Sequence, residues 1–308
     1  MNKKILKSLL SFGVAAFLLA GCTEDVLKSD YDYTPNAAGV PANVVSVAVT
    51  DTSVVEATVK GSVVTSANIK DTTLLDWGYI FYTAEMMAEN THHIASAKST
   101  NKQFEFSVKL TGLVPSTNYF CKAYAVNVDG ISFGVERPFK TKPAKNLPYY
   151  LLASDPLTSW QGTSFTHIDA DGDARVWHLA YFDAPANTEV GLRSYSWFNA
   201  PLRPENYVIL PPVKLGSAAA TIDLDVQAFD GAYFGEKFKV VIATAPITNI
   251  AQAKAAPAIF TEKLTSATRA TKSISIPTTY KDKVVWIGIC HFETTDEFAI
   301  GITNIKVY

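Results

Sequence analysis

The chain has 308 residues, of which 48% are hydrophobic, 12% aromatic and only 18% charged, so it can bury the cores of one or two domains. Its formal net charge is −2, and the first 21 residues, which contain three lysines and no acidic residue, leave 24 basic and 29 acidic residues behind them. Because this balance offers no positively charged footprint, we predict no nucleic-acid partner.

The N-terminal segment has the features of a secretory signal. Lys3 and Lys4 precede an apolar stretch of about fifteen residues, which ends in Leu19-Ala20-Gly21-Cys22. The stretch is shorter than the ~20 apolar residues of a spanning helix, which disfavours an uncleaved anchor. This arrangement resembles the signal peptide and lipobox of bacterial lipoproteins. The resemblance implies that residues 1–21 are removed and that acyl chains on Cys22 tether the mature chain to a membrane.

Residues 22–42 are polar and punctuated by Pro and Gly, which predicts an extended tether. The tether opens with the acidic sequence Thr23-Glu24-Asp25. Acidic residues at this place resemble the export signal of lipoproteins displayed on the outer face of the outer membrane. We therefore predict a lipid-anchored protein at the cell surface. The alternative is that the acidic residues only keep the tether soluble and that the protein is anchored in the inner leaflet.

Residues 43–142 contain short segments with strand periodicity, separated by turn residues. The segment 113–119 combines a leucine, a turn proline and Tyr119, which is typical of a tyrosine corner between two sheets. Together with the segment 123–141 it resembles the closing part of a fibronectin type III domain. We interpret residues 84–97, which include His92 and His93, as a surface loop rather than a metal site.

A Pro-rich linker follows, and residues 147–308 again have the pattern of strands. Predicted strands cover residues 220–229, 238–244, 272–276, 284–291 and 298–308. The strand 284–291 is apolar on both faces, which indicates a central strand, and a change of phase predicts a bulge near Thr303 and Asn304. Cys121 and Cys290 fall in separate predicted domains, so we expect no disulfide.

Several dispersed stretches of this second region resemble the choice-of-anchor J domain family, which is related to the cleaved adhesin domains. They occur in the family's order, at residues 168–173, 177, 202–211, 228–230, 236–240, 285–298 and 302–305. The resemblance implies a jelly-roll β-sandwich found on proteins that adhere or bind glycans. Where the family has paired aspartates before its last strand, this chain has Thr303 and Asn304, which puts any calcium site built on that pair in doubt.

An acidic turn is the candidate metal site. Asp169, Asp171 and Asp173 alternate with small residues, so their carboxylates can turn toward one centre, and such hard oxygen donors suit calcium. The spacing is not that of an EF-hand, whose twelfth position requires a Glu. The family resemblance adds Asp155 as a fourth candidate ligand. The alternative is an acidic turn solvated by water.

Aromatic residues supply the candidate ligand platform. Trp197 lies in a loop-like stretch of aromatics and turn formers at residues 194–201, and we predict that it binds a ligand together with Tyr195 and Tyr233. The alternative is that these rings brace the loop. We expect Trp177 and Trp286 to be packed in the core.

The predicted fold class is therefore all-β, with a fibronectin III-like β-sandwich followed by a jelly-roll β-sandwich. His291 is predicted to be a core histidine bonded to backbone or to a carboxylate, and the chain contains no nucleophile elbow, zinc-protease motif or phosphate-binding glycine loop. We predict a non-catalytic protein that binds a glycan or a surface protein. The alternatives are a structural subunit of a surface complex and a hydrolase acting on glycans through two carboxylates.

Overall fold

The computed structural model describes residues 43–64, 74–97, 105–127, 130–183 and 185–308. The signal, Cys22 and the tether lie outside these residues, so the predicted lipid anchor stays a prediction. Within the described residues no helix is both long and apolar enough to cross a membrane. The chain is all-β with open sandwich sheets, which confirms the predicted fold class. It divides into two compact units, one ending at Lys142 and the other running from Pro143 to Tyr308, with Gly112–Pro115 grouped with the second.

The first unit contains two antiparallel sheets. A three-stranded sheet has the order β1-β2-β5, and a five-stranded sheet has the order β4-β3-β6-β7 with β8 also paired to β6. The elements are β1 Asn43–Thr50, β2 Ala57–Val64, β3 Leu74–Tyr82, α1 Ala84–Ala88, β4 His93–Ser96, β5 Glu105–Leu110, β6 Asn118–Asn127, β7 Gly130–Phe133 and β8 Arg137–Lys140.

Tyr79 joins the two sheets of the first unit. Its hydroxyl on β3 donates a hydrogen bond to the carbonyl oxygen of Lys60 on β2 at 2.7 Å, and its ring makes an edge contact with Phe106 on β5. Side chains alternate between buried and exposed along β5, as a strand with one face on a core requires. Tyr119, at the start of β6, is buried and stacks on Phe139. The fibronectin III-like assignment and the tyrosine corner stay predictions.

The prediction of a plain surface loop over residues 84–97 is wrong. The segment contains α1, where the Thr83 side chain accepts a hydrogen bond from the amide of Met86, and the edge strand β4, whose Ile94 pairs with Ile80 of β3. A strand of four residues shows too little periodicity to be recognised. It is a strand because it pairs with β3, the preceding strand of the chain.

The second unit contains two larger sheets. One has the order β12-β13-β21-β16-β19 with β10 paired to β21, and the other has the order β11-β14-β20-β15-β9 with β17 paired to β20 and β18 to β17. The strands are β9 Lys145–Asn146, β10 Tyr149–Leu151, β11 Thr166–Asp169, β12 His178–Tyr181, β13 Val190–Tyr195, β14 Glu205–Ile209, β15 Val213–Lys214, β16 Ala220–Ala228, β17 Lys237–Ala243, β18 Ala258–Lys263, β19 Ala270–Ile276, β20 Val284–Phe292 and β21 Ala299–Val307. Short helices are α2 Leu157–Gln161 and α3 Ile250–Ala255, with a 3-10 turn at Thr278–Tyr280.

The five strands predicted in this region are present as β16, β17, β19, β20 and β21. Strand β20 is buried along seven consecutive residues because it lies between β14 and β17 and is covered on both faces. A common core joins the two sheets, with side chains from β16 and β21 packed against those from β17 and β20. Trp177 and Trp286 are both buried, as predicted.

The predicted bulge lies in β21. The register with β16 passes from Asp225 opposite Thr303 to Asp223 opposite Lys306, so β21 contains one extra residue. Asn304 takes a left-handed conformation there, with φ of 48°, and its side-chain oxygen accepts a hydrogen bond from the amide of Ala153 at 2.8 Å. The side-chain oxygen of Asn304 thus has a structural role, because it holds the segment that precedes α2.

Both thiols of the described chain are free and buried, and burial raises the pKa of Cys121 and of Cys290 to about 12. Since the thiolate is the reactive form, we expect both groups to be inert in the native state. In the full chain carrying Cys22→Ser, iodoacetamide at about pH 8 should modify neither thiol, yet modify both after unfolding in urea. Mass spectrometry measures the modification, and rapid labelling of the native protein would contradict the expectation.

Candidate functional site

Three loops of the second unit meet at one end of a sheet. Strand β21 lies between β13 and β16 and is antiparallel to both. The ends of β13 and β16 are therefore at the same edge as the beginning of β21. The loops at this edge form a cleft of about 410 Å³ lined by Trp197, Asp230, Tyr233, Asp296, Glu297 and Phe298. We call it the Trp197 cleft.

Trp197 is held at the cleft by main-chain hydrogen bonds. The amides of Ser196 and Trp197 both donate to the carbonyl oxygen of Phe298, at 3.0 and 3.2 Å. The Trp197 side chain remains 38% exposed with its ring tilted against that of Phe298, and Tyr233 is 55% exposed. The structure therefore brings together two of the three aromatic residues predicted to bind a ligand.

Tyr195 does not line the cleft. It ends β13 half-buried, stacks on His178 with ring centroids 5.2 Å apart, and makes edge contacts with Phe198 and Phe298. Burial lowers the pKa of His178, and the positive charge of Arg193 acts in the same direction. Through these contacts Tyr195 braces the wall behind the cleft.

Three carboxylates line the cleft beside the aromatic rings. Asp230 accepts hydrogen bonds from the amides of Ala232 and Tyr233, which closes the turn that presents Tyr233. Glu297 accepts a hydrogen bond from the amide of Gly235. A side chain at position 235 would collide with this carboxylate, because an added Cβ would lie 2.5 Å from one of its oxygens. None of these three carboxylates is among the site residues predicted from the sequence. Turn-forming residues around Asp230 and Asp296 mark loops, but no sequence signal indicates that these loops converge.

A buried polar network supports the floor of the cleft. The side chains of Glu236 and His291 are fully buried, with Oε2 of Glu236 and Nε2 of His291 2.8 Å apart. The other carboxylate oxygen of Glu236 accepts hydrogen bonds from the hydroxyl of Ser196 and the amide of Phe298, at 2.9 and 3.1 Å. Nδ1 of His291 lies 3.0 Å from the hydroxyl of Ser194. The core histidine is confirmed, and one carboxylate ties together all three loops.

The predicted acidic turn brings three carboxylates together. Asp169, Asp171 and Asp173 each place a ligand oxygen within 4.8 Å of the others. Gly172, with φ of 80°, allows the tight turn, and its amide donates to Asp169 at 2.7 Å. Burial, joined by the negative charges of Asp173 and Asp169, raises the pKa of Asp171 above its ordinary value. Hard oxygen donors at this density fit calcium, which would supply the charge that these groups require.

Asp155 does not join this group. Its carboxylate accepts a hydrogen bond from the amide of Leu152 at 2.7 Å and so closes the turn before α2. Within the described residues the candidate calcium ligands that the structure brings together are the three carboxylates of the acidic turn. Calcium binding by this turn stays a prediction.

Calcium is expected to raise the melting temperature of the chain. A ligand present at 100 times its Kd adds ~2.7 kcal/mol to the stability of the folded state, which corresponds to roughly 5–10 °C for a unit of this size. Asp171→Asn should remove the increase, while Asp282→Asn, which changes an exposed aspartate outside the turn, should keep it. Differential scanning calorimetry with calcium and with chelator tests this, and identical melting curves would contradict a calcium site.

Comparison with known proteins indicates the class of the second unit. Residues 158–307 match the family model described as Cleaved Adhesin Domain. This match confirms the predicted relationship of the second region to cleaved adhesin domains.

The chain is also similar to individual known proteins. The chain is similar to hemagglutinin A of Porphyromonas gingivalis, with 25% identity over 162 residues, which span 47% of this chain but 7% of that protein. Among solved structures it is similar to the K1 cleaved adhesin domain of Lys-gingipain from P. gingivalis, with 21% identity, 52% of this chain and 97% of that chain covered, and a TM-score of 0.43. It is also similar to a family 6 carbohydrate-binding module from Clostridium cellulolyticum solved with xylose, with 7% identity, coverage of 53% and 99%, and a TM-score of 0.31.

Proposed function

We propose that the second unit is a non-catalytic binding module of the adhesin type and that a glycan occupies the Trp197 cleft. One observation carries the proposal, namely that two exposed aromatic rings and three carboxylates share a single cleft. Aromatic faces pack against the apolar faces of sugar rings, and carboxylates accept hydrogen bonds from sugar hydroxyls. The cleft volume is in the range of small-ligand sites.

The Cleaved Adhesin Domain match supports binding rather than catalysis. Asp230 and Glu297 support the same role, because each already accepts a backbone hydrogen bond that fixes its orientation. A surface protein is the second candidate partner, since adhesion is the property that the family name describes.

The proposed location is the cell surface, with the chain held at the outer membrane by the acylated Cys22. The first unit, predicted to be fibronectin III-like, lies between this anchor and the binding unit along the chain. Recovery of an acylated N-terminal Cys22 peptide by mass spectrometry would support the anchor, whereas a mature chain without acyl groups would contradict it.

A glycan array probed with the full chain tests the proposed function. We expect binding to a restricted set of glycans and no release of sugar from them. If the chain bound a surface protein and no glycan, the ligand would be a protein rather than a glycan. Liberation of reducing sugar would overturn the non-catalytic role.

A further inference from the structure

The Trp197 cleft contains negative charge without a matching cation. Asp230, Asp296 and Glu297 line it, and among the ion pairs of the described residues none involves these three carboxylates. Lys263 is the nearby cation, because its Cε lies beside Gly235 and the carboxylate of Glu297, but its ammonium group is not among these ion pairs and one such charge would leave the cleft with a negative excess. The cleft therefore presents a negative potential to an incoming ligand.

The exposed rings add a second attraction for positive charge. The neighbouring ring of Phe198 already has the guanidinium of Arg175 3.9 Å from its centroid, and Phe229 has that of Arg193 at 3.8 Å. Within the described residues no lysine or arginine lies over Trp197 or Tyr233. The exposed part of each ring can therefore make a cation–π contact with a ligand.

The arrangement does not suit a metal ion. Among the described residues, the carboxylates that converge closely enough to hold one are those of the acidic turn, and the cleft carboxylates are not among them. They are distributed along an aromatic-lined cleft of about 410 Å³. This spacing fits an organic cation that meets rings and carboxylates at several points.

We propose that the Trp197 cleft selects glycans with protonated amino groups, that is, amino sugars, over neutral and acidic glycans. The inference rests on the proposed function, because it assigns the charge of the ligand at the same cleft. A protonated amine gains charge-assisted hydrogen bonds to the carboxylates and a cation–π contact, whereas a neutral sugar gains stacking and weaker hydrogen bonds. An acidic sugar is repelled.

The test compares two probes, the hexamers of glucosamine and of N-acetylglucosamine, which differ only in whether the amine of each sugar is free or acetylated. Calorimetric titration of the full chain at about pH 5.5 keeps the sugar amines protonated and ordinary carboxyl groups ionised. We expect the glucosamine hexamer to bind at least about tenfold more tightly at low salt. Added sodium chloride should weaken that preference, since salt screens exposed charges.

Two isosteric variants test the role of the carboxylates. Asp296→Asn and Glu297→Gln keep shape and an acceptor oxygen, and Asn tolerates the left-handed conformation of Asp296, whose φ is 58°. Each should weaken binding of the glucosamine hexamer several-fold more than binding of the acetylated hexamer, because only the amino sugar loses a charge-assisted hydrogen bond. Asp282→Asn is the matched control, because Asp282 is an exposed aspartate with φ of 59° that does not line the cleft.

The outcomes separate this inference from the proposed function. If the acetylated hexamer binds equally well or better, and Trp197→Ala abolishes its binding, the charge preference is overturned and the glycan-binding function stands. If oligolysine binds and neither hexamer does, the ligand is a basic protein and the amino-sugar inference fails. If none of the probes binds and the glycan array is also blank, both proposals fail.

Discussion

Trp197→Ala should weaken ligand binding by about 30-fold or more while the chain remains folded. The Trp197 ring is an exposed wall of the cleft. The backbone amides of Ser196 and Trp197 donate hydrogen bonds to the carbonyl oxygen of Phe298, so removal of the side chain leaves the loop in place. Truncation of a central aromatic residue in a binding site costs about 2 kcal/mol or more, which weakens Kd by roughly 30-fold. Titration with the tightest ligand from the array measures the loss.

Phe198→Ala is the control for this variant. Phe198 is the next residue of the same loop and is 39% exposed, but it does not line the cleft and instead packs beneath Arg175. We expect its Kd to stay within about threefold of the original value, as for peripheral contacts. Equal losses in both variants would indicate that the loop as a whole was disturbed, and an unchanged Kd in Trp197→Ala would refute the proposed site.

Glu236→Ala is expected to produce the largest loss of stability in the second unit. The change leaves His291, the hydroxyl of Ser196 and the amide of Phe298 without their shared acceptor in a fully buried site. A buried polar group left without its partner costs about 1–3 kcal/mol, so the loss of three partners at once should cost roughly 3 kcal/mol or more. Glu236→Gln, which keeps one acceptor oxygen, should lose less.

Urea unfolding followed by tryptophan fluorescence measures this effect, because four of the five tryptophans lie in the second unit. Glu262→Ala is the control, since Glu262 forms a partly exposed ion pair with Lys272. Exposed pairs contribute about 0–1 kcal/mol, so this control should unfold close to the original midpoint. A loss below about 1 kcal/mol for Glu236→Ala would show that the network does not hold the three loops together.

Local patterns predicted five of the thirteen strands that the structure describes in the second unit. Alternating side chains predicted β16 and β21, an uninterrupted apolar run predicted the central strand β20, and a change of phase predicted the bulge at Asn304. These features depend on which face of a strand is buried, and that is written in neighbouring residues. The four-residue edge strand β4 was missed because its pairing partner, rather than its own sequence, makes it a strand.

The sequence by itself determined five strands of the second unit, the exposed character of Trp197 and the acidic turn, because each depends on residues close together in the chain. Only the tertiary structure decided that Asp230, Tyr233, Asp296 and Glu297 share a cleft with Trp197, and that Glu236 is the partner of His291. The physical reason is the position of β21 between β13 and β16, which brings distant loops to one edge of the sheet. Such convergence arises from long-range strand pairing, which no local pattern in the chain encodes.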